Sequence, residues 1–155
     1  MQKKFLVLSI AVFLDQISKW WFMNLLSEPP HFIRVMPLFN LTAAWNKGVS
    51  FSMFTSDNVY APYILTLVAI AIVAFILRWH LTEANKYNKI ALELIAGGAI
   101  GNIIDRIRFG AVFDFLDFYI GKHHWPAFNV ADSAITIGAA ILIMVTFFEK
   151  KVIKG

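Results

Sequence analysis

The chain has 155 residues, of which 59% are hydrophobic and 15% charged, and its mean hydropathy is +0.65. Soluble domains are less apolar and more charged, so the composition indicates a membrane protein with room for roughly four spans of about 20 residues and for no separate soluble domain. Cysteine is absent, which excludes disulfides, thiol catalysis and cysteine-ligated metal. The net charge of +4 does not indicate nucleic-acid binding, because the basic residues form short clusters beside apolar runs, as membrane orientation requires.

The first apolar segment begins after Lys3 and Lys4, like a secretory signal peptide, but no small-residue cleavage site follows it. We therefore predict that residues 4–23 form a first span that is retained. Asp15 and Lys19 are four residues apart, on one helical face, where they can form a structural ion pair. Such a pair lowers the cost of inserting two charges into a membrane.

Residues 24–58 do not continue the helical pattern, because Pro29, Pro30 and Pro37 exclude an unbroken helix. The part from residue 38 to 54 mixes polar with β-branched and aromatic residues, which predicts short strands or an irregular cradle. A connection of this length is usually functional or disordered. The aromatic side chains argue against disorder and suit the headgroup level of a bilayer; they are Phe32, Phe39, Trp45, Phe51 and Phe54.

Three further spans are predicted at residues 60–78, 90–107 and 130–148, and residues 108–128 form a second outer loop. Gly97 and Gly101 form a small-x-x-x-small step in the third span, which lets another helix approach closely. The expected fold is an all-α membrane protein, a single domain over residues 1–155, with four transmembrane helices. A small β-containing extracytoplasmic cradle follows the first of them.

Lysine and arginine residues beside the predicted spans set the orientation. With the first residue inside, eight basic residues lie on the inner side and six on the outer side. The inner flanks closest to span ends support this orientation; they are Lys3, Lys4, Arg78, Lys150 and Lys151. Both termini are then cytoplasmic, and both large loops face outside.

This arrangement brings the unusual polar residues to one level, at the outer ends of the spans. They are Asn46, Asn102, Asp105, Arg106, Asp114, Asn129 and Asp132. Two aspartates held close together share one proton, so that one acts as base and the other as acid. That arrangement suits amide hydrolysis and needs neither a cofactor nor a metal. His123 and His124 lack a further ligand at metal-binding spacing, so no metal site is expected.

Structural roles remain open for each of these residues. Asp132 falls at the third position of a helix capped by Asn129, where a carboxylate favours the helix dipole. Asp114 could be a solvated loop residue, and Asp117, three residues later, is an alternative partner that spacing does not exclude. Arg106 could simply balance the charge of its neighbour Asp105.

Five motifs in the chain resemble the bacterial lipoprotein signal peptidase family, signal peptidase II. They span nearly the whole chain in family order. They read Asp15-Gln16-x-Ser18-Lys19, Asn46-x-Gly48-x-x-Phe51, Gly97-Gly98-Ala99-x-Gly101-Asn102-x-x-Asp105-Arg106, Gly110-x-Val112-x-Asp114-Phe115 and Phe128-Asn129-x-Ala131-Asp132-Ser133. One departure is Val49-Ser50, where the family usually has two small residues.

The resemblance implies a four-span aspartic endopeptidase of the bacterial cytoplasmic (inner) membrane, with its active site at the outer face. It removes the signal peptide from prolipoproteins by cutting before a cysteine that carries a diacylglyceryl group. Its implied partners are these substrates, membrane lipid and cyclic-peptide inhibitors of the globomycin type. By motif position the catalytic residues are Asp114 and Asp132, which favours Asp114 over Asp117. The implied substrate-site residues are Asn46, Gly48, Asn102, Arg106 and Asn129.

A different class of function would use the same aspartates to relay protons, in a small proton-coupled transporter or channel subunit. That function predicts carboxylates near the middle of the membrane and usually internal repeats. The sequence has neither feature.

Overall fold

The computed structural model describes residues 5–29, 31–48 and 60–153, with the side chains of residue 61 and residues 149–153 left undescribed. Several residues used in the sequence predictions therefore lie outside the described part of the chain. These are Lys3, Lys4, Pro30, Val49, Ser50, Phe51, Phe54 and the side chains of Lys150 and Lys151.

The chain is mostly helical, and its four long helices lie close to the four predicted spans. They are α1 (Leu6–Leu25), α2 (Ala61–Thr82), α3 (Lys86–Phe109) and α4 (Val130–Ile153). Three stretches in the described residues are long and apolar enough to cross a membrane: Leu6–Leu25, Pro62–Thr82 and Val130–Phe148. Large apolar side chains on these helices are exposed, as lipid-facing surfaces require.

Helix α3 lies at the centre of the bundle and contacts α1, α2 and α4. Because its neighbours surround it, its polar side chains are buried against protein; they include Glu93, Asn102 and Asp105. Because of these polar residues, α3 is not among the three stretches that are apolar enough to cross a membrane. With 24 residues it is nevertheless as long as α4.

Glycines allow the helices to approach α3 closely. A Cβ on Gly97 would lie 2.9 Å from both the Cβ of Ala11 and the carbonyl oxygen of Leu8, in α1. A Cβ on Gly138, in α4, would lie 2.6 Å from the carbonyl oxygen of Ala91. These distances are too short for a side chain. A Cβ on Gly101 would likewise clash with the Asp15 side chain of α1, so the predicted step of Gly97 and Gly101 is confirmed as a close helix contact.

A four-stranded antiparallel sheet covers one end of the bundle. Its strands, in spatial order, are β1 (Phe32–Met36), β2 (Phe39–Asn46), β3 (Val112–Ile120) and β4 (His123–His124). The sequence predicted only a loop over residues 108–128, yet that segment supplies the central strand β3. Strand β3 forms because β2 provides its backbone partners, and Ala44 lies opposite Asp114 in the register.

Aromatic packing and hydrogen bonds fix the sheet to the helices. Phe113 and Phe115 of β3 are buried with Leu26, and Phe22 stacks on Phe115 with ring centroids 4.4 Å apart. The backbone N–H of Phe113 donates to Asp105 Oδ2 of α3 at 3.1 Å. The residue that follows Phe113, Asp114, is therefore held at the end of the helix bundle.

The opposite end of the bundle contains a polar cluster that the sequence analysis did not predict. Helix α2 continues past the predicted boundary at residue 78 and includes His80, whose Nε2 lies 2.9 Å from Glu93 Oε1. The other Glu93 oxygen accepts from the backbone N–H groups of Val7 and Leu8, at 2.9 and 3.3 Å. Glu93 thus joins α3 to the end of α2 and to the first turn of α1.

Candidate active site

The two predicted catalytic aspartates come from different elements and meet at the C-terminal end of α3. Asp114 lies on β3 and is 2% exposed, and Asp132 lies in the first turn of α4. They are close enough for the negative charge of Asp132 to act on Asp114. We refer to them as the aspartate pair.

Asn129 and Asp132 cap the beginning of α4 for each other. The backbone N–H of Asp132 donates to Asn129 Oδ1 at 2.9 Å, and the backbone N–H of Asn129 donates to Asp132 Oδ2 at 3.2 Å. This is a capping box, so the structure shows the helix-capping role that the sequence suggested for Asp132. Capping uses only one of the two Asp132 oxygens.

Three asparagine side chains supply the remaining hydrogen bonds to the aspartate pair. Asp114 Oδ1 accepts from Asn129 Nδ2 at 2.7 Å, and Asp114 Oδ2 accepts from Asn46 Nδ2 at 3.1 Å. Asp132 Oδ1 accepts from Asn102 Nδ2 at 2.8 Å. The structure therefore brings three of the predicted substrate-site residues into direct contact with the pair.

The surroundings of Asp114 raise its pKa from the ordinary 3.8 to about 6. Burial is the largest cause, because it disfavours the charged carboxylate, and the negative charge of Asp132 acts in the same direction. The hydrogen bonds from Asn46 and Asn129 and the charge of Lys19 oppose the rise in pKa. Asp114 is thus able to hold a proton near neutral pH while another carboxylate lies beside it.

Below the aspartate pair, Lys19 lies in the interior of the bundle and is 1% exposed. Its Nζ lies 2.8 Å from Asp15 Oδ2 and 2.9 Å from Asp105 Oδ2. The pair predicted from the four-residue spacing of Asp15 and Lys19 is present, and Asp105 pairs with Lys19 of α1. Lys19 also donates to Asn102 Oδ1 at 3.0 Å, which connects the ion pairs to the aspartate pair.

Gln16 is a member of this cluster that the chemical argument from sequence missed. Its Nε2 lies 3.1 Å from Asp15 Oδ2, 3.1 Å from Asp105 Oδ1 and 3.2 Å from the carbonyl oxygen of Gly101. The available signals were its polarity within an apolar run and its place in the first family motif, Asp15-Gln16-x-Ser18-Lys19. Its partners lie in α3, which sequence spacing does not reveal.

Arg106 and Gly48 lie at the edge of the site. The Arg106 guanidinium is close enough to interact with the charges of Asp132, Asp114 and Asp105. Its Nε is buried and, within the described residues, has no hydrogen-bond partner. Gly48 has a φ of +90° and donates its N–H to Asn46 Oδ1 at 2.8 Å, which directs the Asn46 amide nitrogen toward Asp114.

Asp117 belongs to a separate cluster. Asn40 Nδ2 donates to Asp117 Oδ2 at 3.0 Å, and His124 Nδ1 lies 2.8 Å from Asp117 Oδ1. These three residues line a cavity of about 660 Å³ together with His31 and Arg34. No side chain of the aspartate pair lines that cavity.

An apolar groove of about 510 Å³ begins at Asp132. Trp125 and Phe128 form one wall, and Thr136 and Ile137 of α4 form the other. Ile137 is 53% exposed, so the groove opens onto the apolar outer surface of α4.

Within residues 5–29, 31–48 and 60–153, no group of three histidine, aspartate or glutamate side chains converges to hold a metal ion. Asp117 and His124 form only a pair. The chemistry available at the aspartate pair is proton transfer between two carboxylates held by amide groups.

Comparison with known proteins identifies the family. The family model described as "Signal peptidase (SPase) II" matches residues 7–148. The chain is 45% identical over 121 residues to a lipoprotein signal peptidase of Vibrio cholerae serotype O1, covering 77% of this chain and 71% of that protein. It is 38% identical over 153 residues to the lipoprotein signal peptidase of Francisella tularensis subsp. novicida, covering 96% and 94%.

Two solved structures have the same fold. Both are described as a bacterial membrane enzyme determined by the in meso method. The one at 2.3 Å resolution has a TM-score of 0.80 and 26% identity, and the match covers 97% of this chain and 90% of that chain. The one at 1.9 Å resolution has a TM-score of 0.79 and 27% identity, with coverage of 94% and 93%. The chain belongs to the signal peptidase II family of membrane peptidases.

Proposed function

We propose that the protein is an aspartic endopeptidase that cuts the signal peptide from prolipoproteins, with Asp114 and Asp132 as its catalytic residues. The observation that carries this proposal is a pair of carboxylates, the buried Asp114 and the half-buried Asp132, joined by Asn129 and Asn102. Family membership supports a membrane signal peptidase, and it does not favour the alternative of a proton-coupled transporter.

The environments of the two aspartates support different roles. Asp114, whose pKa is raised to about 6, is the proton donor. Asp132, at the beginning of α4, accepts a hydrogen bond on each of its two oxygens and acts as the base. Asp132 takes a proton from a water molecule as the water oxygen bonds to the scissile carbonyl carbon. The carbon–nitrogen bond then breaks as Asp114 gives its proton to the leaving nitrogen, and the proton on Asp132 returns to Asp114.

The substrate backbone is held by groups at the edge of this pair. The Arg106 side chain is half-buried at the edge of the pair, and its guanidinium donates to substrate carbonyl oxygens. Asn46, set by Gly48, and the amides of Asn102 and Asn129 fix the approach of the scissile bond to the pair. The same surface accommodates cyclic-peptide inhibitors of the globomycin type.

The substrate is a prolipoprotein whose cysteine, just after the scissile bond, carries a diacylglyceryl group. A lipid-bearing residue has to reach the aspartate pair from the bilayer. The apolar groove that begins at Asp132 and opens along α4 supports this route.

We further propose four spans in the cytoplasmic (inner) membrane, with both termini cytoplasmic and the aspartate pair at the outer face. Helix α3 is the fourth span because α1, α2 and α4 shield its polar residues from lipid. Reporter fusions at residues 40, 84, 120 and 155 test this topology. An external signal at 84 or 155 would contradict it.

The direct test is to incubate the purified protein with a lipidated prolipoprotein and to measure the product mass. We expect two fragments separated just before the lipidated cysteine. The chelator EDTA should not change the rate, because two carboxylates suffice for the proton transfers. An uncut substrate, or cleavage at another bond, would contradict the proposed function.

A further inference from the structure

Lys19 makes a set of contacts that exceeds what an ion pair requires. Its Nζ lies 2.8 Å from Asp15 Oδ2, 2.9 Å from Asp105 Oδ2 and 3.0 Å from Asn102 Oδ1. An ammonium group has three N–H donors and no acceptor. Each of its donors therefore has a partner, and the third partner is a neutral amide that contacts the aspartate pair.

The Lys19 ammonium determines which way the Asn102 amide faces. Only the Asn102 oxygen can accept from an ammonium, and turning the amide over would place N–H groups against it. Asn129 Nδ2, also a donor, reaches the same Asn102 oxygen at 3.2 Å. Two donors thus fix Oδ1 of Asn102 inward, and its Nδ2 is left facing Asp132 Oδ1 at 2.8 Å.

The direction of this amide matters for Asp132. A reversed Asn102 would place its oxygen against the Asp132 carboxylate, and two acceptors cannot form a hydrogen bond. The observed direction supplies an N–H donor to Asp132 Oδ1. The positive charge of Lys19 also opposes the rise in the pKa of Asp114.

We propose that Lys19 is a positioning residue for the reaction: by fixing the Asn102 oxygen, it directs an amide N–H at Asp132, the proposed base. This inference deepens the proposed function and, for the catalytic step, rests on it. The charged groups that act on the aspartate pair are Lys19 from α1 and Arg106 from α3, and Asp15 and Asp105 surround Lys19.

The test uses a double variant, Lys19→Met with Asp105→Asn. Removing Lys19 alone would leave two buried carboxylates, Asp15 and Asp105, without a cation, which is strongly destabilising. The double variant leaves only Asp15, which still accepts from Gln16 Nε2 and from the backbone N–H of Ala131. The double variant removes one positive and one negative charge, so the net charge of the cluster stays as in the unmodified protein. The matched control is Asp105→Asn alone, which keeps Lys19 and its contact with Asn102.

Two measurements are made on the folded, detergent-purified full chain. Infrared spectra recorded against pH follow protonation of the aspartate pair, and steady-state kinetics give kcat and KM. In the double variant we expect the protonation midpoint to rise by about one pH unit relative to the control, because an N–H donor and a positive charge are lost. We expect kcat to fall by about 10²-fold while KM changes less than about threefold.

A purely structural Lys19 would lower the folded fraction but leave the midpoint and kcat of folded molecules equal to those of the control. That result would overturn the proposal. Asn102→Asp provides a second test if the double variant does not insert, because the introduced carboxylate keeps an oxygen for Lys19 but offers no N–H to Asp132. We expect Asn102→Asp to lose about 10²-fold in kcat, and turnover close to that of the unmodified protein would overturn the proposal.

Lys19→Arg serves as the rescue variant, because a guanidinium also donates without accepting. We expect it to keep the midpoint of the unmodified protein, and a midpoint equal to that of the double variant would count against the proposal. The infrared measurement needs no substrate. If the protein did not cleave a prolipoprotein, the proposed function would be contradicted. The effect of Lys19 on the protonation midpoint would still be tested by the infrared measurement.

Discussion

Asp114 and Asp117 lie on the same strand, three residues and about 10 Å apart, yet their surroundings differ. Asp114 is 2% exposed, accepts side-chain amide N–H groups from Asn46 and Asn129 and lies beside a second carboxylate. Asp117 receives an amide N–H from Asn40 and pairs with His124, whose side chain is 54% exposed. One aspartate is held next to a like charge, and the other is next to a base that can neutralise it.

The contrast between Asp114 and Asp117 shows which surroundings allow a carboxylate to take part in proton transfer. A carboxylate that is buried beside another carboxylate keeps a proton near neutral pH and can give it to a reacting group. A carboxylate that is paired with a histidine at the surface has a partner for its charge and gains stability from it.

The largest effect is expected for Asp114→Asn and for Asp132→Asn. Asparagine keeps the shape of aspartate but cannot accept or pass the proton, so each variant should lose about 10²–10⁴-fold in turnover. Because the two residues act as a unit, the double variant should be little worse than either single variant. Turnover and folded fraction of each variant, measured in detergent with a lipidated substrate, check this. Substantial turnover by both single variants would contradict the aspartic mechanism.

Removal of the lipid from the substrate should have the next largest effect. An unlipidated precursor cannot use the apolar groove that begins at Asp132, so its kcat/KM should fall by about 10²-fold or more as that binding energy is lost. The comparison uses the same polypeptide with and without its diacylglyceryl group. Equal turnover of the two forms would contradict the proposed substrate.

The pH dependence of kcat/KM tests the role of Asp114 as the proton donor. Its pKa of about 6 means that the protonated form is lost as the pH rises through 6, so kcat/KM should fall about tenfold per pH unit above that value. Asn46→Ala removes a hydrogen bond that favours the ionised form, so the pKa of Asp114 should rise and the falling limb should move to higher pH. A limb that moves to lower pH would show that another group sets it.

The polar cluster of His80 and Glu93 should affect stability but not catalysis. Glu93→Ala leaves His80 and the N–H groups of Val7 and Leu8 without their acceptor, so the free energy of unfolding should fall by about 3–5 kcal/mol. Folded molecules should keep their kcat, because the cluster lies at the opposite end of the bundle from the aspartate pair. Unfolding and turnover are measured on the same detergent samples. A loss of kcat without a loss of stability would mean that the two ends are coupled.

The smallest effect is expected for Asp117→Asn, which is the matched control for Asp114→Asn on the same strand. Asparagine can still accept from Asn40, and only the pairing with His124 is lost. Turnover should stay within about threefold, and the stability change should be about 1 kcal/mol or less, as for other partly exposed ion pairs. An inactive Asp117→Asn beside an active Asp114→Asn would reverse the assignment of the pair.

The membrane character and the approximate helix positions could be predicted from composition and local spacing, because an apolar run of about 20 residues is the length that a helix needs to cross a bilayer. The Asp15–Lys19 pair and the capping of α4 by Asn129 were likewise readable, since both partners lie within one turn of helix. The family motifs, rather than spacing, favoured Asp114 over Asp117 at the sequence level. The strand β3 and the cluster of His80 and Glu93 were not predicted.

Tertiary structure decided which distant residues meet. Asn102 contacts both Lys19 and Asp132 only because α1 and α4 pack against α3 at glycine positions, which bring residues 83 and 30 positions apart into hydrogen-bond distance. Strand β3 required β2 as its partner, since its backbone groups have no local partners. The raised pKa of Asp114 likewise depends on burial and on the charge of Asp132, and both arise only when the sheet packs on the helix bundle.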